Sequence, residues 1–126
     1  PGVEVIGVES SAAPAAYWSL RDDTCYEEIE VGSSIAEGLL GGFGQLPFRI
    51  SRELVSKVVL VDDDEIIQAM RAFQRHSQLM VEPAAAVGLA ALLGGRLDLG
   101  PGRVVLVVTS RNIDAAKYNR LVSDAG

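Results

Sequence analysis

Residues 104 to 112 read VVLVVTSRN. Five apolar residues, four of them β-branched, run without a polar break, the signature of a strand buried on both faces of a parallel sheet. Parallel neighbours are joined through crossovers, usually helical, so such a strand commits the chain to an α/β architecture. The run stops at Thr109-Ser110, Arg111-Asn112 follow, and Asp114 opens a helix. In open α/β sheets ligands meet the carboxyl ends of the strands. The Thr109 hydroxyl therefore either faces a ligand or satisfies its own backbone.

Two further stretches carry the same signal. Residues 57 to 61, KVVLV, form a second continuous apolar run, and residues 3 to 8, VEVIGV, form a short β-branched one bounded by Pro1-Gly2 and Glu9-Ser10-Ser11. Between the strands lie helical segments. Ser10 or Ser11 caps a helix reaching Arg21, and residues 34 to 40 form a short helix or turn. Residues 47 to 55 form another helix. Asp62 or Asp63 caps a helix over residues 64 to 78, with Ile66, Ile67, Met70 and Phe73 at helical spacing. Pro83 opens a helix to Leu93 that is apolar all round and therefore buried. Asp114 caps a last helix to about Ser123. The expected fold class is α/β, an open parallel sheet with flanking helices. Three strands are few for this many helices, and the chain opens on Pro-Gly without a Met. Both observations predict a piece of a larger domain.

Composition narrows the function classes. The chain has 126 residues, 48% of them apolar, enough for one packed core. Its formal charge of −6 repels phosphate backbones, and no basic stripe interrupts it, so no nucleic-acid partner is expected. No apolar run reaches membrane-spanning length, so no membrane partner is expected. Cys25 is the only cysteine, which leaves no internal disulfide and fits a cytoplasmic location.

Few residues stand out for chemistry on their own. Cys25 has no His or Lys beside it in sequence to favour a thiolate. Asp62, Asp63 and Asp64 read as a capped, solvated helix start, and His76 as a cation at a helix C-terminus. The glycines Gly41, Gly42 and Gly44 mark either a close backbone approach or a flexible loop, and they do not follow a nucleotide-loop pattern. Glu82, at the mouth of a buried helix, is either a structural cap or an acid beside a ligand.

Taken together, GVES at 7–10, SSIAEGL at 33–39, VDDDEIIQAM at 61–70, VEPAAAVGLAALL at 81–93 and VVLVVTSRNID at 104–114 resemble the threonine dehydratase and serine racemase group of fold-type II pyridoxal-phosphate enzymes. The resemblance covers nearly the whole chain, in order, and corresponds to the C-terminal part of that family's catalytic region. It implies a partial large domain and the cofactor pyridoxal 5′-phosphate. Glu82-Pro83-Ala84-Ala85-Ala86 matches the family's helix start behind the cofactor pocket. Ser34-Ile35-Ala36-Glu37-Gly38 matches a turn whose glycine, here Gly38, lies against the ring, with Glu37 in place of Asp. Thr109 falls where the family places a hydroxyl or thiol on the pyridine nitrogen. Asn112 matches the following Asn, and Ser110-Arg111 replace Gly-Gly. The implied cofactor-binding residues are thus Thr109, Gly38 and Glu82. A divalent-cation site seen in some members would use Glu9 and Ala13, but Ala15 stands where the second carboxylate belongs, so no metal is expected.

A neutral hydroxyl cannot hold a pyridine nitrogen protonated, so the implied electron sink is a weak one. That suits loss of a β-hydroxyl better than transamination. The only lysines, Lys57 and Lys117, lie outside the family's Ser-x-Lys-x-Arg-Gly setting, and the phosphate-holding glycine loop is absent. The expectation is therefore an ammonia-lyase of threonine or serine, inactive until completed by an N-terminal part, with a small amino-acid substrate and a homo-oligomeric assembly. The alternatives are a racemase, a dehydratase of another hydroxylated amino acid, or a non-catalytic binding module.

Overall fold

A computed structural model describes residues 2–123. The elements are β1 (Ile6–Ser10), α1 (Ala15–Asp22), a 3-10 turn (Glu37–Leu39), α2 (Gln45–Leu54), β2 (Lys57–Val61), α3 (Asp63–Ser77), α4 (Pro83–Leu93) and α5 (Ala115–Val122). β1 and β2 pair in parallel, from Ile6 opposite Lys57 to Ser10 opposite Val61. The α/β class with a small open parallel sheet and flanking helices stands.

β1 starts three residues later than the apolar pattern predicts and takes in Glu9 and Ser10, because its ladder begins where β2 begins. Val3, with no strand beside it, is 84% exposed. The first helix also opens later, at Ala15, and no serine caps it. Instead the Glu9 carboxylate reaches from the sheet and accepts from the Ala16 and Tyr17 amides at 2.9 and 2.8 Å. It stands in for the side-chain cap that Pro14 cannot provide.

α3 follows its sequence closely. Asp62 accepts from the Glu65 amide while the Glu65 carboxylate accepts from the Asp62 amide, a reciprocal capping box. Ile66, Ala69, Met70 and Phe73 fill one face, and His76 sits in the last turn. α4 is the hub, packing on both strands, on α3 and on the 3-10 turn. Its Ala86, Ala90 and Ala91 are buried and let these neighbours approach closely.

The expected strand at 104–108 is the main correction. No strand forms there among the described residues, and Val105 and Val107 are 85% and 76% exposed. A strand exists through ladder bonds to a neighbour. The two-stranded sheet runs elsewhere and offers this segment none. The segment is instead held from one side by α4. Leu106 lies 3.4 Å from where a Cβ on Gly88 would stand, and the Ser110 carbonyl accepts from the Glu82 amide at 3.4 Å.

Candidate functional site

The N-terminus of α4, the 3-10 turn and the start of α5 enclose a cleft of about 500 Å³. Its walls include Gly38 and Glu37 from the turn, Glu82 to Ala84 from α4, and Asn112 to Asp114 with Lys117 from the α5 entry. Two of the three implied cofactor residues, Gly38 and Glu82, therefore meet across more than 40 positions of chain. Thr109 does not line the cleft. It is exposed on the segment leading to Asn112, which does.

Each wall has a local cause. Pro83 occupies the first turn of α4, where its missing N–H costs nothing. Glu82 sits at the N-cap position, yet its side chain makes no capping bond. Its carboxylate lies 4.0 Å from where a Cβ on Gly38 would stand, and the Ala84 methyl lies 3.4 Å from that point. The Glu82 side chain therefore lines the cleft and does not cap the helix. Asp114 accepts from the Lys117 amide at 2.9 Å and so starts α5 at the cleft edge. Arg111, which replaces a family glycine, is exposed and is not part of the lining.

The turn bearing Gly38 is anchored by contacts that the sequence alone does not disclose. The Ser34 hydroxyl donates to Asp63 at 2.5 Å and accepts from the Ala36 amide at 3.1 Å. The other Asp63 oxygen accepts from the Ile35 amide at 3.0 Å. The Ser10 hydroxyl, in a residue only 1% exposed, donates to Ser34 at 3.2 Å. This chain of contacts ties the turn to the end of β1 and the first residue of α3. Asp63 had read as a solvated helix start because its partner lies 29 residues upstream. On the cleft's outer edge Lys117 pairs with Glu37 at 2.6 Å, a contact spanning 80 residues that leaves no local signal. Glu37 is 74% exposed there, so the pair is worth at most about 1 kcal/mol.

Glu9 is occupied as a helix cap. Burial raises its pKa above the ordinary carboxylate value, and the two amide bonds oppose that rise. No group of three or more metal-ligating side chains occurs among the described residues. Cys25 donates to the Phe43 carbonyl at 2.9 Å, and burial, followed by the Glu27 charge, pushes its thiol pKa up, away from nucleophilic use. No helix among the described residues is long and apolar enough to cross a membrane.

The donor set fits one wall of a planar cofactor ring. Gly38 presents no side chain beside the Ala84 methyl, and Glu82 and Asn112 supply polar atoms in the same cleft lining. A phosphate would find only Lys117 in the cleft lining, and that amine is already paired.

Comparisons with known proteins identify the family. The family model for pyridoxal-phosphate dependent enzymes matches residues 1–110. The L-threonine ammonia-lyase of Geobacter sulfurreducens is 41% identical over 123 residues, covering 97% of this chain and 30% of that protein. The crystal structure of a T.th. threonine deaminase matches with a TM-score of 0.79 at 31% identity, over 88% of this chain and 40% of that one. The structure of maize serine racemase matches with a TM-score of 0.70 at 31% identity, over 74% of this chain and 29% of that one. The chain spans 29 to 40% of the length of these relatives.

Proposed function

This chain belongs to the pyridoxal-phosphate dependent enzyme family, and from that premise we propose that it is one part of an ammonia-lyase acting on threonine or serine. The observation that carries the reading is the convergence of Gly38, Glu82 and Asn112 on one cleft. These residues belong to three separated segments, which in combination resemble the family. The proposed products are a 2-oxo acid and ammonia, and the proposed location is the cytoplasm.

Pyridoxal 5′-phosphate, when bound, would supply the electron withdrawal that elimination of a β-hydroxyl requires. The protein's residues do the holding. Gly38 presents a face without a side chain to the ring. Glu82 supplies a fixed carboxylate at the cleft wall, and Asn112 an orienting amide. The Thr109 hydroxyl is the proposed uncharged partner of the pyridine nitrogen, carried to the ring by the segment that ends at Asn112. Cleft acids Glu37, Glu82 and Asp114 against the single cation Lys117 disfavour a second carboxylate on the substrate, so a neutral hydroxylated side chain is preferred.

The partner needed to complete the site is the N-terminal part of the same enzyme, which brings the Schiff-base lysine and the phosphate loop. The exposed apolar segment 104–108 is the edge such a part would pair with. The test is made on the complete protein that carries this chain. Expected are cofactor absorbance and 2-oxo acid formation from threonine or serine, both lost when the lysine of the Ser-x-Lys-x-Arg-Gly motif is changed. Amino-acid binding with no cofactor requirement refutes the enzyme reading and leaves a binding module. Racemisation of serine without ammonia release selects the racemase reading, which the likeness to maize serine racemase supports.

A further inference from the structure

We propose that the Lys117–Glu37 pair is a strap across the cleft, and that Lys117 is a positioning residue holding the Asn112 segment against the Gly38 wall. The inference rests on the reading of the cleft as a cofactor site. The Lys117 ammonium donates to the Glu37 carboxylate at 2.6 Å, and both residues line the cleft. Glu37 opens the 3-10 turn and is the chain neighbour of Gly38. Lys117 is the third residue of α5, five positions after Asn112. The pair therefore joins two walls that are remote in sequence.

The two ends of the strap differ in how firmly they are fixed. The Glu37 end belongs to the turn that Ser34 and Asp63 tie to β1 and α3. The Lys117 end follows a segment with no ladder partner among the described residues, whose tie to the start of α4 is the long bond from the Glu82 amide to the Ser110 carbonyl at 3.4 Å. Tyr118 and Val122 seat the body of α5 in the core, so the strap acts on the end of α5 that faces the cleft. The Glu37 and Lys117 side chains are 74% and 32% exposed, and an exposed pair shifts an equilibrium by at most about fivefold. A free cation in this lining would attract an anionic ligand directly. A paired one acts through geometry, and the two roles predict opposite responses when Glu37 loses its charge.

The test titrates the complete protein that carries this chain with pyridoxal 5′-phosphate, read by absorbance. Lys117→Met and Glu37→Gln are each expected to weaken cofactor binding about two- to fivefold. Lys117→Arg is expected to stay within about twofold of the wild type, and Glu37→Lys with Lys117→Glu to recover most of the loss. The gap between the wild type and Lys117→Met should close at about 1 M salt, where exposed charges are screened. Tighter binding by Glu37→Gln overturns the proposal, because a cation that attracts the cofactor directly gains when its neighbouring acid is neutralised. So does a double exchange no better than either single change. Amide hydrogen exchange in the cofactor-free protein separates these outcomes from failure of the cofactor reading. The Leu39 and Leu40 amides bond to the Ala36 and Glu37 carbonyls at 2.9 and 3.2 Å, and the Ile113 amide to the Arg111 carbonyl at 2.9 Å. They are expected to exchange faster in both single variants and at the wild-type rate in the double exchange. A wild type that takes up no cofactor removes the cofactor reading, and unchanged exchange overturns the strap.

Discussion

Replacing Ser34 with Ala tests whether the Gly38 turn is held by side chains or merely rests on α4. The substitution removes the bond to the Asp63 carboxylate, the acceptor for the Ala36 amide and the acceptor for the Ser10 hydroxyl. A bond to a charged group contributes roughly 1.5–3 kcal/mol and a neutral one roughly 0.5–1.5 kcal/mol. Ser34 and Asp63 are partly exposed, so water takes over part of each loss. Ser10 is buried, but its oxygen still accepts from the Ala12 amide at 3.2 Å. The expected net loss is about 2–3 kcal/mol, read from urea unfolding. Asp63→Ala removes the same charge-assisted bond and the Ile35 contact, so the two changes share one interaction. A double-mutant cycle should return a coupling of about 1.5–3 kcal/mol between them. In the holoenzyme the same variants should also weaken cofactor retention, seen as a shifted absorbance titration, because the wall that carries Gly38 loosens. Additive effects, with coupling under about 0.5 kcal/mol, refute the claim that Asp63 anchors the turn through Ser34.

The other expectations are quickly stated. Gly42→Ala should cost more than about 2 kcal/mol, since its Cβ would lie 1.7 Å from the Glu27 carbonyl oxygen, whereas Gly44→Ala, 3.7 Å from Pro47, should stay within about 0.5 kcal/mol. Thermal melts of the pair check it, and equal melting temperatures contradict the close approach. Gly38→Val should leave the melting temperature nearly unchanged but abolish cofactor absorbance, because the branched side chain enters the ring's space beside Ala84 and Glu82. Glu9 is held more protonated in the folded state than in the unfolded one, so its contribution to stability is full below the ordinary carboxylate pKa of 4.5 and falls as pH rises through the elevated folded value. Glu9→Gln should flatten that part of the pH–stability curve, and an unchanged slope rules out Glu9 as its source.

Local chemistry in the sequence was enough for most elements. Pro83 and Gly94 bracket α4, the Asp62–Glu65 pair opens α3, and Asp114 opens α5, because caps and turn residues act over three or four positions. The family pattern also placed Gly38 and Glu82 at one site, and the fold brings them together. The dense glycines at 41–44 pointed to a close approach, which Gly42 makes against Glu27. What the sequence could not disclose depends on partners far along the chain. The apolar run 104–108 has strand composition but no ladder partner among the described residues, so it forms no strand and its valines stay exposed. Glu9 caps a helix seven residues away, Asp63 reaches back 28 residues to Ile35, and Lys117 reaches back 80 to Glu37. Propensity and periodicity report what a residue prefers among its near neighbours. Only the folded chain brings distant carboxylates to the amides, hydroxyl and amine they bind.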